Sequence, residues 1–262
     1  MTIHRPPAFE EDFCAGNLEA YQNLYRDANG CKAVGDASAG YLWDRNVPQR
    51  IHEVCPQARI LILLRDPVER AYSHYFMYEG KRKSKKPGSS FLEAIQRDNS
   101  EFIKVNNYNK LFPVMFVELG LYYEQVHRYI QTFGREQVGI YLFEDLEKDT
   151  QGVMAAICRH IGVDPSLLDT KELNQVHLAG LVPRAGFLYR TAQSALSLEM
   201  RQRILPPSVR KWMSTSPLLY KHYTQPRDEQ AARYLQSIFE PDLCRLEELL
   251  GRKLPELRRS WI

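Results

Sequence analysis

The chain has 262 residues, 44% of them hydrophobic and 26% charged, which places it among ordinary globular proteins and excludes disordered and collagen-like classes. A formal net charge of +3 is too near neutral for wrapping a nucleic acid or another polyanion to be its main work. The longest apolar run, Ile60 to Leu64, falls far short of the ~20 residues a membrane helix needs. Met1 to Glu10 contain no apolar signal-peptide core. The five scattered cysteines form no CxxC pair, and no two histidines have metal-ligand spacing. A cytoplasmic protein without a metal centre or a disulfide framework is expected.

In chain order, Lys32 to Val34 reads as a strand that ends at Gly35-Asp36. Arg50 to Val54 reads as a turn or two of helix, stopped before Pro56. The stretch from Arg59 to Leu64, aliphatic from Ile60 onward, has the pattern of a strand buried on both faces of a parallel sheet. Asp66 as N-cap with Pro67 at the first helical position then starts a helix that Val68 to Tyr78 continues. Phe91 to Arg97 reads as a short helix and Leu119 to Phe133 as a long one closed by Gly134. Gln137 to Leu142 is a second buried strand, and Asp145 or Asp149 caps a helix running to His160. Gln225 to Leu250 is a long amphipathic helix with Ile238, Leu243, Leu246 and Leu250 on its buried side. Alternating strands and helices predict an α/β fold, with a central parallel sheet between two helical layers. Lys81 to Ser90 and Ala179 to Ser216 lack periodicity and read as loops or short helices. Neither marks a boundary, so residues 1–262 are expected to form a single domain.

The run Arg65-Asp66-Pro67-Val68-Glu69-Arg70-Ala71-Tyr72-Ser73-His74-Tyr75 concentrates the chemistry. It puts an arginine at the carboxyl end of a strand, the edge where open parallel sheets bind ligands. A serine follows two turns into the next helix. The guanidinium is a planar, permanently charged fork suited to phosphate, and the helix start is expected to add free N–H groups. A lone Arg-Asp-Pro is more often simple capping with surface ion pairs.

The full run resembles the 3′-phosphate-binding signature of sulfotransferases that use 3′-phosphoadenylyl sulfate (PAPS), Arg-Asp-Pro-x-x-Arg-x-x-Ser-x-Tyr. Three further segments resemble the same family in the same order. Val34-Gly35-Asp36-Ala37-Ser38-Ala39-Gly40-Tyr41-Leu42 is similar to Gly-Glu-x-Ser-Pro-x-Tyr-Leu. Tyr141 to Leu146 is similar to a Tyr-Glu-Asp-Leu stretch. Asp242 to Leu250 with Trp261 is similar to the closing segment of bacterial members. The resemblance implies a P-loop-like three-layer α/β/α fold and transfer of a sulfuryl group from PAPS to a hydroxyl of a carbohydrate or other small molecule. The product would be adenosine 3′,5′-bisphosphate (PAP), and no metal is implied. It further implies that Arg65 and Ser73 grip the 3′-phosphate, that Asp36 is the general base, and that Arg70 supports the helix start. Asp36 is one methylene shorter than the family's glutamate, and an aspartate after a strand is also a common turn residue. Arg184, between Pro183 and Gly186 in a late loop, is a basic residue placed to reach the nucleotide or simply a surface arginine in a turn.

The family begins with a strand and a Lys-x-Gly-Thr turn for the 5′-phosphosulfate, and Met1 to Gly30 contain neither. Lys86-Pro87-Gly88-Ser89-Ser90 has similar letters but follows a basic run rather than a strand, so it reads as a solvated loop. Two accounts remain: an N-terminally shortened sulfotransferase, the one favoured, or a non-catalytic PAP-binding protein that lacks the donor loop. A nucleotide-dependent kinase is the weaker third reading, since GxxxxGK[ST] and a magnesium-holding pair are missing from the sequence.

Overall fold

The computed structural model describes residues 18–81 apart from 24, 29 and 39, and residues 90–101, 115–168, 181–183, 220–222 and 228–261. Two parallel strands, β1 (Ile60–Leu64) and β2 (Val138–Leu142), pair in register from Ile60 opposite Val138 to Leu64 opposite Leu142. Helix α1 (Leu18–Asn23) and helix α2 (Val47–Val54) precede β1. Between the strands run α3 (Pro67–Lys81), α4 (Phe91–Glu101) and α5 (Tyr122–Phe133). After β2 come α6 (Phe143–Lys148) and α7 (Thr150–His160), and the long α8 (Glu229–Leu250) follows later. A second, two-stranded antiparallel ladder joins β3 (Leu181–Pro183) to β4 (Tyr220–His222). Among the described residues no helix is long and apolar enough to cross a membrane.

One face of the parallel pair is closed by α5 and α8. Tyr122, Val126, Tyr129 and Phe133 recur at helical spacing and pack with Ile62, Leu64, Val138, Leu142, Leu243 and Leu246. Each such large side chain, fully buried, contributes ~1.5–3 kcal/mol. A second cluster joins Val68, Ala71 and Tyr75 of α3 to Ile95 of α4, Phe116, and Leu235 and Phe239 of α8. Trp261 packs against both clusters.

The α/β layering is as expected from the sequence, with three local departures. β1 is buried on one face only: Ile62 and Leu64 are 4% and 1% exposed, whereas Leu61 and Leu63 are 45% and 49% exposed. Helix α7 packs on β2, where His160 lies against Gly139 and the Tyr141 hydroxyl reaches the Ala156 carbonyl at 3.5 Å, and it leaves those two leucines of β1 half-exposed. Lys32 to Val34 is irregular rather than a strand, with Val34 54% exposed. Extended residues need a neighbouring ladder for their backbone groups, and none of the described strands pairs there. On α8, the buried side is Leu235, Phe239, Leu243 and Leu246, while Ile238 and Leu250 are half-buried.

Side-chain caps explain where several of the helices start. Asp149 accepts from the Gly152 amide at 2.8 Å and Asp228 from the Ala231 amide at 3.0 Å, opening α7 and α8. Ser90 and Glu93 form a reciprocal capping box at α4, with bonds of 3.1 and 3.2 Å. Phe143–Lys148 is a separate short helix, so Asp149, not Asp145, is the cap of α7.

Candidate nucleotide-binding cleft

The register of β1 on β2 sets Arg65 beside Phe143 at the carboxyl ends of both strands. There a cleft of about 390 Å³ opens, lined by Arg65, Asp66, Glu69, Phe143, Glu144, Glu147, Arg259 and Ser260. The Arg65 backbone is held by the Tyr122 hydroxyl, which donates to its carbonyl at 2.8 Å. Burial pushes the Tyr122 phenol up to about 12, so it stays a donor. The Arg65 guanidinium lies 5.2 Å from the Phe143 ring centroid and 3.7 Å from the Glu69 carboxylate. That ion pair is 35% and 44% exposed on its two sides, the regime in which such pairs contribute only ~0–1 kcal/mol.

Asp66, 1% exposed, organises the turn between β1 and α3. Its Oδ1 accepts from the amides of Val68 at 2.9 Å and Glu69 at 3.2 Å. Its Oδ2 accepts from the Ser260 amide at 2.9 Å, and the Trp261 indole donates to Oδ1 at 3.4 Å. The Asp66 amide donates to Glu144 Oε1 at 2.9 Å. Burial raises the Glu144 carboxyl above the usual range, and the Asp66 amide opposes that rise. These bonds correct one expectation. Pro67 has no N–H, and the next two amides of α3 are spent on the cap. The helix start therefore offers its dipole but not the free N–H groups read from the sequence.

Ser73 is exposed and follows Glu69 by one turn on the same face of α3, so Arg65, Glu69 and Ser73 run in line. Ser73 itself is not one of the residues lining the cleft. Arg70 donates to the Phe116 carbonyl, which joins α3 to the segment before α5 rather than bonding the helix start itself. Asp36 stands on a different segment. The Tyr21 and Tyr41 hydroxyls both donate to its Oδ2, at 3.0 and 2.5 Å. Both phenols titrate well above the ordinary tyrosine range, first through burial and then through hydrogen bonding that involves Asp36. The Tyr129 hydroxyl donates to the Tyr41 carbonyl at 2.8 Å, tying this segment to the second half of α5. Arg65 is tied to the first turn of the same helix, so the two anchor points lie about 10 Å apart along it. Arg184 lies outside the described residues.

Sequence reasoning missed Glu69, Tyr21 and Arg259. Glu69 and Tyr21 have ordinary surface patterns. Arg259 sits 194 residues from Arg65, and only folding places both on one cleft.

Residues 46–179, just over half of the chain, match the family described as "Sulfotransferase domain". Carbohydrate sulfotransferase 15 of Rattus norvegicus is 27% identical over 158 residues, covering 50% of this chain and 28% of that protein. Bifunctional heparan sulfate N-deacetylase/N-sulfotransferase 4 of Mus musculus is 27% identical over 173 residues, covering 61% of this chain and 19% of that protein. The chain thus spans less than a third of the length of these curated relatives. Among solved structures, a sulfotransferase from Alicyclobacillus acidocaldarius superposes with a TM-score of 0.63 at 26% identity, covering 93% of this chain and 75% of that one. A match over half the chain, carrying Arg65, the capped start of α3 and β2 within it, settles the assignment: this chain belongs to the sulfotransferase domain family.

Proposed function

We propose that the protein is a PAPS-dependent sulfotransferase that transfers a sulfuryl group to a hydroxyl of a carbohydrate acceptor. The observation that carries this reading is Arg65, whose guanidinium is held at the carboxyl end of β1 on the Phe143 ring and beside an exposed cleft. A rigid fork at that edge suits a phosphate monoester, and its partner Glu69 is bound weakly enough to yield. Swinging Glu69 aside would open the face between Arg65 and Ser73, so that both reach the 3′-phosphate of PAPS. The carbohydrate acceptor is supported by the names of the relatives alone.

PAPS supplies the electrophilic sulfur and PAP as leaving group. The acceptor oxygen bonds to sulfur as the bond from sulfur to the 5′-phosphate oxygen breaks. The hydroxyl proton passes to the Asp36 carboxylate, which Tyr21 and Tyr41 orient through Oδ2. Arg184 is a further candidate for the nucleotide, and Arg184→Ala is expected to weaken PAP binding by ~1–3 kcal/mol, the scale of one charge-assisted hydrogen bond.

The test is calorimetric titration of the full chain with PAP, with 5′-AMP as control. PAP is expected to bind at least tenfold more tightly, and Arg65→Ala to remove the difference. Equal affinity for the two nucleotides would overturn the 3′-phosphate assignment. Sulfation of a carbohydrate panel from labelled PAPS tests the reaction, and Asp36→Asn activity equal to the parent's would remove Asp36 from it.

A further inference from the structure

The cleft is lined from three distant parts of the chain. Arg65, Asp66 and Glu69 come from the β1–α3 turn, Phe143, Glu144 and Glu147 from β2–α6, and Arg259 and Ser260 from the segment after α8. By simple count the lining is acidic, four carboxylates against two guanidiniums. The two buried acids weigh less than the count suggests: Asp66 is fully bonded, and Glu144, bonded through Oε1 while its buried Oε2 has no partner among the described residues, has its carboxyl raised by burial, which favours the neutral form. Asp66 accepts from Val68, Glu69, Ser260 and Trp261, and Glu144 accepts the Asp66 amide. The exposed charges balance, two against two. Glu69 faces Arg65 at 3.7 Å, and Glu147 faces Arg259 at 3.6 Å. Both separations exceed the ~2.7–2.9 Å of a charge-assisted hydrogen bond, so neither guanidinium is locked to its carboxylate.

Arg259 is free to turn while its backbone is not. The residue before it, Arg258, is fastened to Glu240 at 2.9 Å and Glu247 at 2.7 Å. The residue after it, Ser260, donates its amide to Asp66 at 2.9 Å. The Arg259 amide donates to the Glu256 carbonyl at 3.2 Å, closing a 3-10 turn over Pro255–Arg258. The side chain is 63% exposed and reaches the cleft from a pinned main chain. A phosphate monoester is doubly charged at neutral pH, and one arginine neutralises half of it. The amides of α3 that would otherwise help are consumed by the Asp66 cap.

We propose that Arg259 is the second cationic arm of the nucleotide's 3′-phosphate site, acting opposite Arg65 across the cleft. This rests on the reading of Arg65 given above. On binding, each arginine exchanges its long contact with a glutamate for a short bond to a phosphate oxygen. Glu147 competes with the ligand for Arg259 and so sets its affinity from the protein side.

The experiment is PAP and 5′-AMP titration of the full-length parent, Arg259→Ala, Arg259→Lys, Glu147→Gln and Arg65→Ala, with urea unfolding of each variant as a folding control. Arg259→Ala is expected to weaken PAP about tenfold and leave 5′-AMP unchanged, with Arg259→Lys between it and the parent. Glu147→Gln is expected to tighten PAP by about threefold. Parent-like PAP binding by a folded Arg259→Ala, alongside a clear loss in Arg65→Ala, overturns the role of Arg259 and leaves the Arg65 site standing. PAP and 5′-AMP binding equally to the parent, or neither binding, overturns both.

Discussion

Replacing Asp66 with alanine tests the turn on which the cleft is built. Two amides of α3 lose their cap, a change that costs ~1 kcal/mol at a typical helix start. The Ser260 amide, bonded to Oδ2 at 2.9 Å, loses a charged partner, worth a further ~1.5–3 kcal/mol. The Trp261 indole contact, at 3.4 Å, is long and adds little. The expected loss is about 2.5–4 kcal/mol, less than the ~5–15 kcal/mol by which folded domains are stable, so the variant still folds. Urea unfolding followed by circular dichroism reads this directly. With a slope of about 3 kcal/mol/M, the midpoint should fall by about 1 M. Asp66→Asn keeps one carbonyl acceptor and should lose about half as much. A midpoint within about 0.3 M of the parent for Asp66→Ala would refute the view that this carboxylate joins the last residues to the β1–α3 turn.

Other consequences are as direct. Gly120→Ala would set a Cβ 2.8 Å from the fully buried Phe239 ring and 3.2 Å from Pro67, and thermal unfolding should show a loss of ~1–3 kcal/mol. The one-sided burial of β1 predicts that Leu64→Ala costs ~2–5 kcal/mol while Leu63→Ala costs under ~1 kcal/mol, and equal losses in urea unfolding would contradict it. Burial raises the Asp242 carboxyl from 3.8 to about 6, against the opposing pull of the Tyr123 and Tyr122 amides. Its protonated form is therefore favoured by folding. The associated stability is fully present below pH 3.8 and is lost as pH rises through about 6. Asp242→Asn should remove this loss, gaining on the parent by ~1–3 kcal/mol between pH 4 and pH 7 in chemical denaturation, and a constant difference across that range would count against it.

The elements that were legible in the sequence are those dictated by neighbours in the chain. An unbroken aliphatic run made β1 readable, a short apolar stretch after Gly134 made β2 readable, Asp66-Pro67 marked the start of α3, and apolar spacing marked α8 with Leu243 and Leu246 of its buried side. Arg65 stood out for the same reason, since its place at the end of β1 follows from five residues before it and two after. The tertiary structure decided what depends on partners far away. Lys32 to Val34 has the composition of a strand, yet no described strand pairs with it. Leu61 and Leu63 read as core, yet α7 covers β2 and leaves them half exposed. The Asp66 carboxylate, legible as a cap, also draws in an amide 194 positions away. By that bond folding brings Arg259 to the mouth of the cleft, a placement set by tertiary hydrogen bonds and packing that no local periodicity encodes.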